Sequence, residues 1–368
     1  MNILVFSWRD IKHPNAGGAE QVIHEHAKSW VDAGHKVTHF SSKMKGLSNF
    51  ETIDKIDFIR SGYQYLGVQM AGFFYYLKNR SKIDLVVDEF HGVPFFTPLY
   101  IKKPRLAILQ EVAKEVWFLN PLPRPLNWIV GLIGYLGEPL VFLFYRNTKF
   151  MTGSASAKND ILKMSIPLKN ITIVPHGVIL GKKIKNKKAK IKTLVYLGVL
   201  SKDKGIEDAI KCFKLLDDYS IQFWIIGRPE TPAFGSYIES QIKKLKFKGE
   251  IKFWGFVSQD KKFELLSKAH LLINPSVHEG WGLVNIEANS VGTPVVSYNN
   301  AGLIDSVKQE VSGLICKENT PESMAKIVIN LLNDEEKYNK LQKGAINWSK
   351  NFTWEKSKKL SLELINEL

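Results

Sequence analysis

The sequence predicts an α/β protein built from two Rossmann-like, doubly wound domains facing each other across a cleft. Three observations carry that reading. Short apolar runs of strand length alternate with helix-length segments along most of the chain. The alternation stops at a lysine run and then restarts. The 368 residues, 45% hydrophobic and 24% charged, are an ordinary globular composition and long enough for two or three domains at about 150 residues each.

The elements follow in order. Asn2 to Ser41 reads as β-α-β: an apolar strand, a Gly-containing loop, a helix from Ala19 to Ala33, a stop at Gly34 and a strand from Lys36 to Phe40. Further strands are expected at Leu85–Val87, Leu106–Leu109, Phe150–Thr152 and Ile171–Val174, and strands separated by helices imply a parallel sheet covered on both faces. Residues 1–177 form the first domain on this reading, and 178–192 a solvated lysine-rich linker. The second domain, 193–345, restarts with a strand at Thr193–Leu197, Gly198 and a helix from Gly205 to Leu216. It continues with strands at Gln222–Ile226, Ile251–Phe253, Leu271–Ile273 and Pro294–Ser297. Residues 346–368, anchored by Trp348, Phe352 and Trp354, are expected to form a C-terminal helix that crosses back to the first domain.

Composition narrows the function classes. Cys212 and Cys316 stand outside any CxxC or Cys/His spacing, which excludes a disulfide framework and a structural zinc site and points to a reducing compartment. Met1–Ser7 is a strand pattern without the basic start of a signal peptide, so the expected location is cytoplasmic. The most apolar window, Leu126–Tyr145, is broken by Gly131, Gly134, Gly137, Glu138 and Pro139, and is read as unable to cross a membrane. Trp117, Phe118, Leu119, Pro121, Leu122, Pro123, Arg124, Pro125 and Trp128 instead suggest contact with a membrane surface, with an acceptor-cleft lid or interdomain packing as the other reading.

The richest segment runs from Asn274 to Glu287: a strand, a loop holding Glu279, Gly280, Trp281 and Gly282, then a helix from Leu283. Glycines admit a close backbone approach, and amides at a helix start suit phosphate oxygens. Carboxylates such as Glu279 and Glu287 suit hydroxyl groups, which are donors in need of acceptors. With Gly292, Thr293, Pro294, Val295 and Val296 beyond it, this run resembles the E-x7-E signature and following strand of glycosyltransferase family 4, the retaining "group 1" glycosyltransferases. The resemblance covers nearly the whole chain. It implies the GT-B fold, a donor held mainly by the C-terminal domain, Glu279 on donor-sugar hydroxyls, Gly280–Leu283 against sugar and diphosphate, and Glu287 on the ribose.

Two other segments resemble the family. Gly198–Gly205 is similar to its GRLxxxKG loop, which implies that Lys204 neutralises the donor diphosphate. Val199 stands where the family has Arg, leaving Lys202 or Arg228 either to substitute or to be ordinary loop cations. Asn15–Glu20 is similar to the GGAE loop, in which Gly17, Gly18 and Glu20 would face phosphate or acceptor; Arg9 and Asp10 are either acceptor contacts or surface-loop residues. Gln110 falls where the family often has a His near the anomeric carbon, and Gln donates hydrogen bonds but is no base near neutral pH. His91 and His176 read as structural. His24 and His26, two apart on a helix, point in different directions, and the chain has no Asp-x-Asp, so no metal site is expected.

The expected activity is a retaining, metal-independent glycosyltransferase moving a sugar from a nucleoside-diphosphate sugar to an acceptor hydroxyl on a glycan or lipid-linked glycan, with no cofactor. A non-catalytic nucleotide-sugar binder and a GT-B nucleotide-sugar epimerase are the alternatives. The net charge of +15 locates the partners. Residues 1–177 carry 21 Lys+Arg against 14 Asp+Glu, 178–192 carry 7 against 0, and 193–368 carry 23 against 22. The excess therefore sits on the acceptor side and the linker. It favours an anionic membrane surface or a phosphate-bearing acceptor over nucleic acid, for which no recognition module is present.

Overall fold

The computed structural model describes residues 1–368 except 15, 65, 91–92, 121, 182–187, 218 and 278. The chain forms two compact units: Met1–Gly177 with Trp354–Leu368, and Val178–Thr353.

The first unit contains β1 (Asn2–Phe6), α1 (Gly18–Asp32), β2 (Lys36–Ser41), β3 (Phe50–Ile53), β4 (Ile56–Arg60), α2 (Leu66–Asn79), β5 (Leu85–Phe90), β6 (Arg105–Leu109), α3 (Leu126–Phe144), β7 (Lys149–Thr152), α4 (Ala155–Lys163) and β8 (Ile171–Ile173). Its sheet runs β3-β4-β2-β1-β5-β6-β7-β8, parallel except for the antiparallel β3–β4 hairpin. β1 shows why the sheet is covered on both sides. Ile3 and Val5 enter one core with Ile23, Ala27 and Trp30 of α1, while Leu4 and Phe6 enter a second with Val68, Tyr76 and Phe95. Side chains alternate across a strand, so a strand buried on both faces must be apolar throughout.

The second unit contains β9 (Lys192–Leu197), α5 (Ile206–Leu215), β10 (Ile221–Ile226), α6 (Pro232–Leu245), β11 (Ile251–Gly255), α7 (Gln259–Lys268), β12 (Leu271–Asn274), α8 (Leu283–Ser290), β13 (Val295–Ser297), α9 (Leu303–Ser306), β14 (Gly313–Ile315), α10 (Pro321–Asn333) and α11 (Glu335–Ser349). Its all-parallel sheet runs β11-β10-β9-β12-β13-β14. Helices again cover both faces: Leu194 and Tyr196 pack with α5 and α10, and Val195 packs with α7 and Ala288 of α8.

Three readings change. The C-terminal piece expected from residue 346 is divided: α11 ends at Ser349, and a separate helix, α12 (Trp354–Asn366), belongs to the first unit. There Trp30 Nε1 donates to Ser361 Oγ at 2.9 Å, Lys358 pairs with Glu25 at 2.7 Å, and Leu364 and Ile365 join the core. The lysine run is not uniformly solvated. Lys182, Lys183, Lys185 and Lys187 lie outside the described residues, but Lys188 donates to Ala269 O (2.6 Å), Thr293 Oγ1 (2.9 Å) and Gly292 O (3.2 Å), and burial pulls its ammonium down to about 7. Finally, α3 is one continuous 19-residue helix with Pro139 inside it, long and apolar enough to cross a bilayer by length and composition.

Candidate functional site

Each sheet reverses its strand order at one point, where the loops leaving two neighbouring strands diverge and open a crevice at their carboxyl ends. In the second unit that point lies between β9 and β12. The loop after β9 is Gly198–Gly205 and the loop after β12 is Pro275–Gly282, the two segments singled out by sequence.

Local chemistry fixes both loops. The Tyr196 hydroxyl donates to Val199 O at 2.8 Å and approaches Lys204 O at 3.3 Å, which curls the first loop over the end of β9. Gly205, at φ 71°, caps α5, and a Cβ there would stand 2.1 Å from Pro275 O; only glycine lets the loops close on each other. Val277 N then donates to Asp203 O at 2.8 Å. On the other side a buried polar chain runs Asn274 Nδ2 to Asn285 Oδ1 and Asn285 Nδ2 to Ser306 Oγ, each 2.9 Å. Fully paired in this way, it fixes α8 against β12 and α9.

The outcome is a direct contact between Lys204 Nζ and Glu279 Oε2, from residues 75 apart in sequence. Both side chains keep some exposure, 30% for Lys204 and 19% for Glu279. Asp203 lies 3.9 Å from the same ammonium. Trp281 is buried, with its ring 5.0 Å from that of Phe352, so it supports the loop and does not present an indole face to solvent. Gly282, at φ 78°, caps α8, whose first residue is Leu283. Glu287, one helical face further on, is held by Lys262 of α7 at 2.5 Å. Burial pushes the Glu287 carboxyl above its ordinary range while Lys262 pulls it down. Lys202 is exposed, and Arg228 lies over the exposed Phe256 ring at 5.6 Å.

Sequence reasoning passed over two contributors here. The loop Asn299–Gly302 after β13 closes the back of the site: Asn300 Nδ2 donates to Ser276 O at 2.7 Å, and Gly302, at φ 75°, leaves room for Glu279 O, which a Cβ would approach to 2.0 Å. Its signal was an Asn-Asn-Ala-Gly turn directly after a strand. Lys262 carried none, because a lysine on an amphipathic helix looks like any solvated cation.

In the first unit the sheet reverses between β1 and β5. Gly17 and Gly18 are exposed at the start of α1, but Glu20 is turned inward. Its carboxylate accepts Gly17 N at 2.7 Å and binds Arg9 Nε at 2.8 Å, so Glu20 ties its own loop together. Asp10 is not a surface residue either. It is buried against Arg60, accepting from Nε at 2.7 Å and Nη2 at 3.2 Å, and accepts from Ser41 Oγ. Burial alone would raise its carboxyl, but Arg60 and Ser41 hold it below the usual range. Glu89, at the end of β5, is the acid the sequence did not flag. Burial, with the Glu20 charge beside it, raises it to about 8, so it carries a proton at neutral pH. Gln110 follows β6 half-buried, with both amide atoms lacking a hydrogen-bond partner among the described residues. His91, Asn15 and His278 lie outside the described residues. His24 bonds Asp54 at 2.9 Å and His26 lies among Trp30 and Trp354, so the pair diverges. Burial draws His26 to about 3 and His176 to about 4. Among the described residues no three His, Cys, Asp or Glu groups gather as a metal site.

Residues 181–348 match the family described as Glycosyl transferases group 1. An uncharacterized glycosyltransferase of Methanocaldococcus jannaschii is 33% identical over 144 residues, 39% of this chain and 36% of that protein. The chain spans 36–44% of the length of the first three curated relatives it matches. Among solved structures, sucrose-phosphate synthase from Thermosynechococcus elongatus superposes with a TM-score of 0.81 at 19% identity, covering 100% of this chain and 98% of that one. Anabaena HepE in complex with UDP-glucose superposes at 0.74 with 16% identity, covering 100% of both. The fold is GT-B, and residues 181–348 resemble the group 1 glycosyl transferases.

Proposed function

We propose that this protein is a retaining, metal-independent glycosyltransferase that moves a sugar from a nucleoside-diphosphate sugar to an acceptor hydroxyl. The observation that carries the reading is the meeting of Lys204 and Glu279 at the strand-order reversal of the second unit. An ammonium and a hydroxyl acceptor at one crevice suit the two ends of a sugar diphosphate. Lys204 stabilises the charge that grows on the diphosphate as the C1–O bond breaks, and the amides at the start of α8 add to it. Glu279 accepts from donor-sugar hydroxyls. Glu287, near Lys262, accepts from the ribose hydroxyls. The acceptor oxygen bonds to C1 on the face the diphosphate leaves, and its proton passes to a diphosphate oxygen. No protein base or covalent nucleophile is required, which fits a glutamine at position 110. Metal independence is supported by the absence of Asp-x-Asp from the sequence and by a cation in the site. The basic excess of residues 1–177 favours a phosphate-bearing, lipid-linked glycan as acceptor.

The test incubates the protein with a panel of nucleoside-diphosphate sugars, with and without lipid-linked and free glycan acceptors, in the presence of EDTA. Release of nucleoside diphosphate that depends on an acceptor, with a product whose anomeric configuration by NMR matches the donor, is expected. Conversion of donor alone into an epimer, donor binding without turnover, or an inverted product would each contradict the reading.

A further inference from the structure

The helix α3 is built inside out. At about 100° per residue, its exposed large apolar side chains sweep an arc of about 220°. Trp128, Ile133, Leu136 and Leu140 are 61–66% exposed. The protein-facing arc holds small and acidic residues, Gly131, Gly134 and Glu138, beside Phe142, the large apolar side chain of the helix that is buried in the core. Gly131 meets the Phe118 ring and Gly134 the Trp117 ring, which a Cβ would approach to 2.5 and 2.2 Å. Glu138 accepts from Ala113 N (2.8 Å) and Lys114 N (2.9 Å). Trp117 and Phe118, expected from the sequence at the surface, thus lie under the helix, and α3 itself is the exposed apolar face. Surface helices ordinarily turn their apolar stripe to the core.

We infer that α3 lies in the interface of an anionic bilayer, its axis in the membrane plane and its apolar arc among the lipid chains. A protein partner covers one stripe of a helix, whereas lipid is a solvent that can cover an arc this wide. The charges agree. Between residues 120 and 150 the only acid is Glu138, which is turned inward, while Arg124, Arg146 and Lys149 are exposed at the two ends of the helix, placed to reach anionic headgroups. A spanning arrangement is excluded by topology. β6 and β7, which α3 joins, are hydrogen-bonded parallel neighbours, with Leu106 opposite Lys149, and a span would drag that sheet into the hydrocarbon.

Co-sedimentation of the full chain with vesicles tests this without donor or acceptor, so its outcome does not depend on transfer activity. Binding to phosphatidylglycerol-containing vesicles is expected. The triple variant Ile133→Asp, Leu136→Asp, Leu140→Asp should lose it by about tenfold or more while keeping its thermal midpoint, because those side chains already face water. Arg124→Glu with Arg146→Glu should weaken binding most at low salt. No binding to anionic vesicles at low salt, or equal binding by the triple variant, overturns the inference. A lipid-free dimer that the triple variant converts to monomer also overturns it, and gives the face to a second copy of the chain.

Discussion

Replacing Lys204 with Met separates a chemical role from a structural one. The ammonium bonds Glu279, but the two side chains are 30% and 19% exposed, so solvent screens the pair and its share of stability is at most about 1 kcal/mol. Neither group is left as a buried lone charge when the other is removed, so the larger penalty for breaking a buried pair does not apply. The thermal midpoint should therefore fall by no more than about 4 °C. Transfer should suffer far more. Losing a preorganised charge aimed at a leaving diphosphate costs roughly 100- to 1,000-fold in kcat, about 2.7–4 kcal/mol of barrier. Initial rates at saturating donor, with differential scanning fluorimetry on the same preparation, read both quantities. A kcat within about threefold of wild type would refute the assignment of Lys204 to the leaving group. A large midpoint loss with kcat per folded molecule unchanged would make the lysine structural.

Other perturbations follow from the same geometry. Arg60→Met leaves the Asp10 carboxylate buried without its guanidinium and should cost about 3–5 kcal/mol in urea unfolding. Because Arg60 and Ser41 outweigh desolvation and depress the folded Asp10 value below 3.8, that stability is present above pH 3.8 and lost as pH falls through the lower folded value; an acid titration of the wild type should show the loss and the variant should not. Gly205→Ala forces a side chain to φ 71° and 2.1 Å from Pro275 O, which should destabilise by about 1–3 kcal/mol and weaken donor binding by parting the two loops. Lys262→Ala removes the cation that lowers Glu287, so the acid limb of donor affinity should move to higher pH, measured as Kd against pH.

Much of this architecture is written locally. Near-continuous apolar runs such as β10, Ile221–Ile226, can only be strands buried on both faces, and the glycines of 280–282 and 205 mark turns that a parallel sheet places at its carboxyl edge. What escaped was written at long range or in weak signals. The β3–β4 hairpin turns through Asp54 and Lys55, both at positive φ without the usual Asn or Gly, and its outer strand is half exposed, so no strong alternation announces it. The glycines that interrupt the apolar run of α3 carry no local sign of their use: two of them are where the Trp117 and Phe118 rings enter. Lys188 looked like its neighbours in the lysine run because its acceptors, Ala269, Gly292 and Thr293, lie 81 to 105 residues away. Glu20 and Asp10 looked like ligand contacts because nothing in the sequence shows Arg9 and Arg60 closing on them.

Calorimetric titration of a nucleoside-diphosphate sugar panel into the wild-type chain, Glu279→Ala and Glu287→Ala tests the central claim most directly, since it asks for the donor site alone. The site built at the end of β9 and β12 predicts that at least one nucleotide sugar binds the wild type without added metal, and that each variant weakens it by about tenfold or more, with Glu287→Ala also weakening the free nucleoside diphosphate and Glu279→Ala leaving it nearly unchanged. Donor affinity unaltered in both variants, or no binding of any nucleotide sugar to a folded wild-type chain, would contradict it.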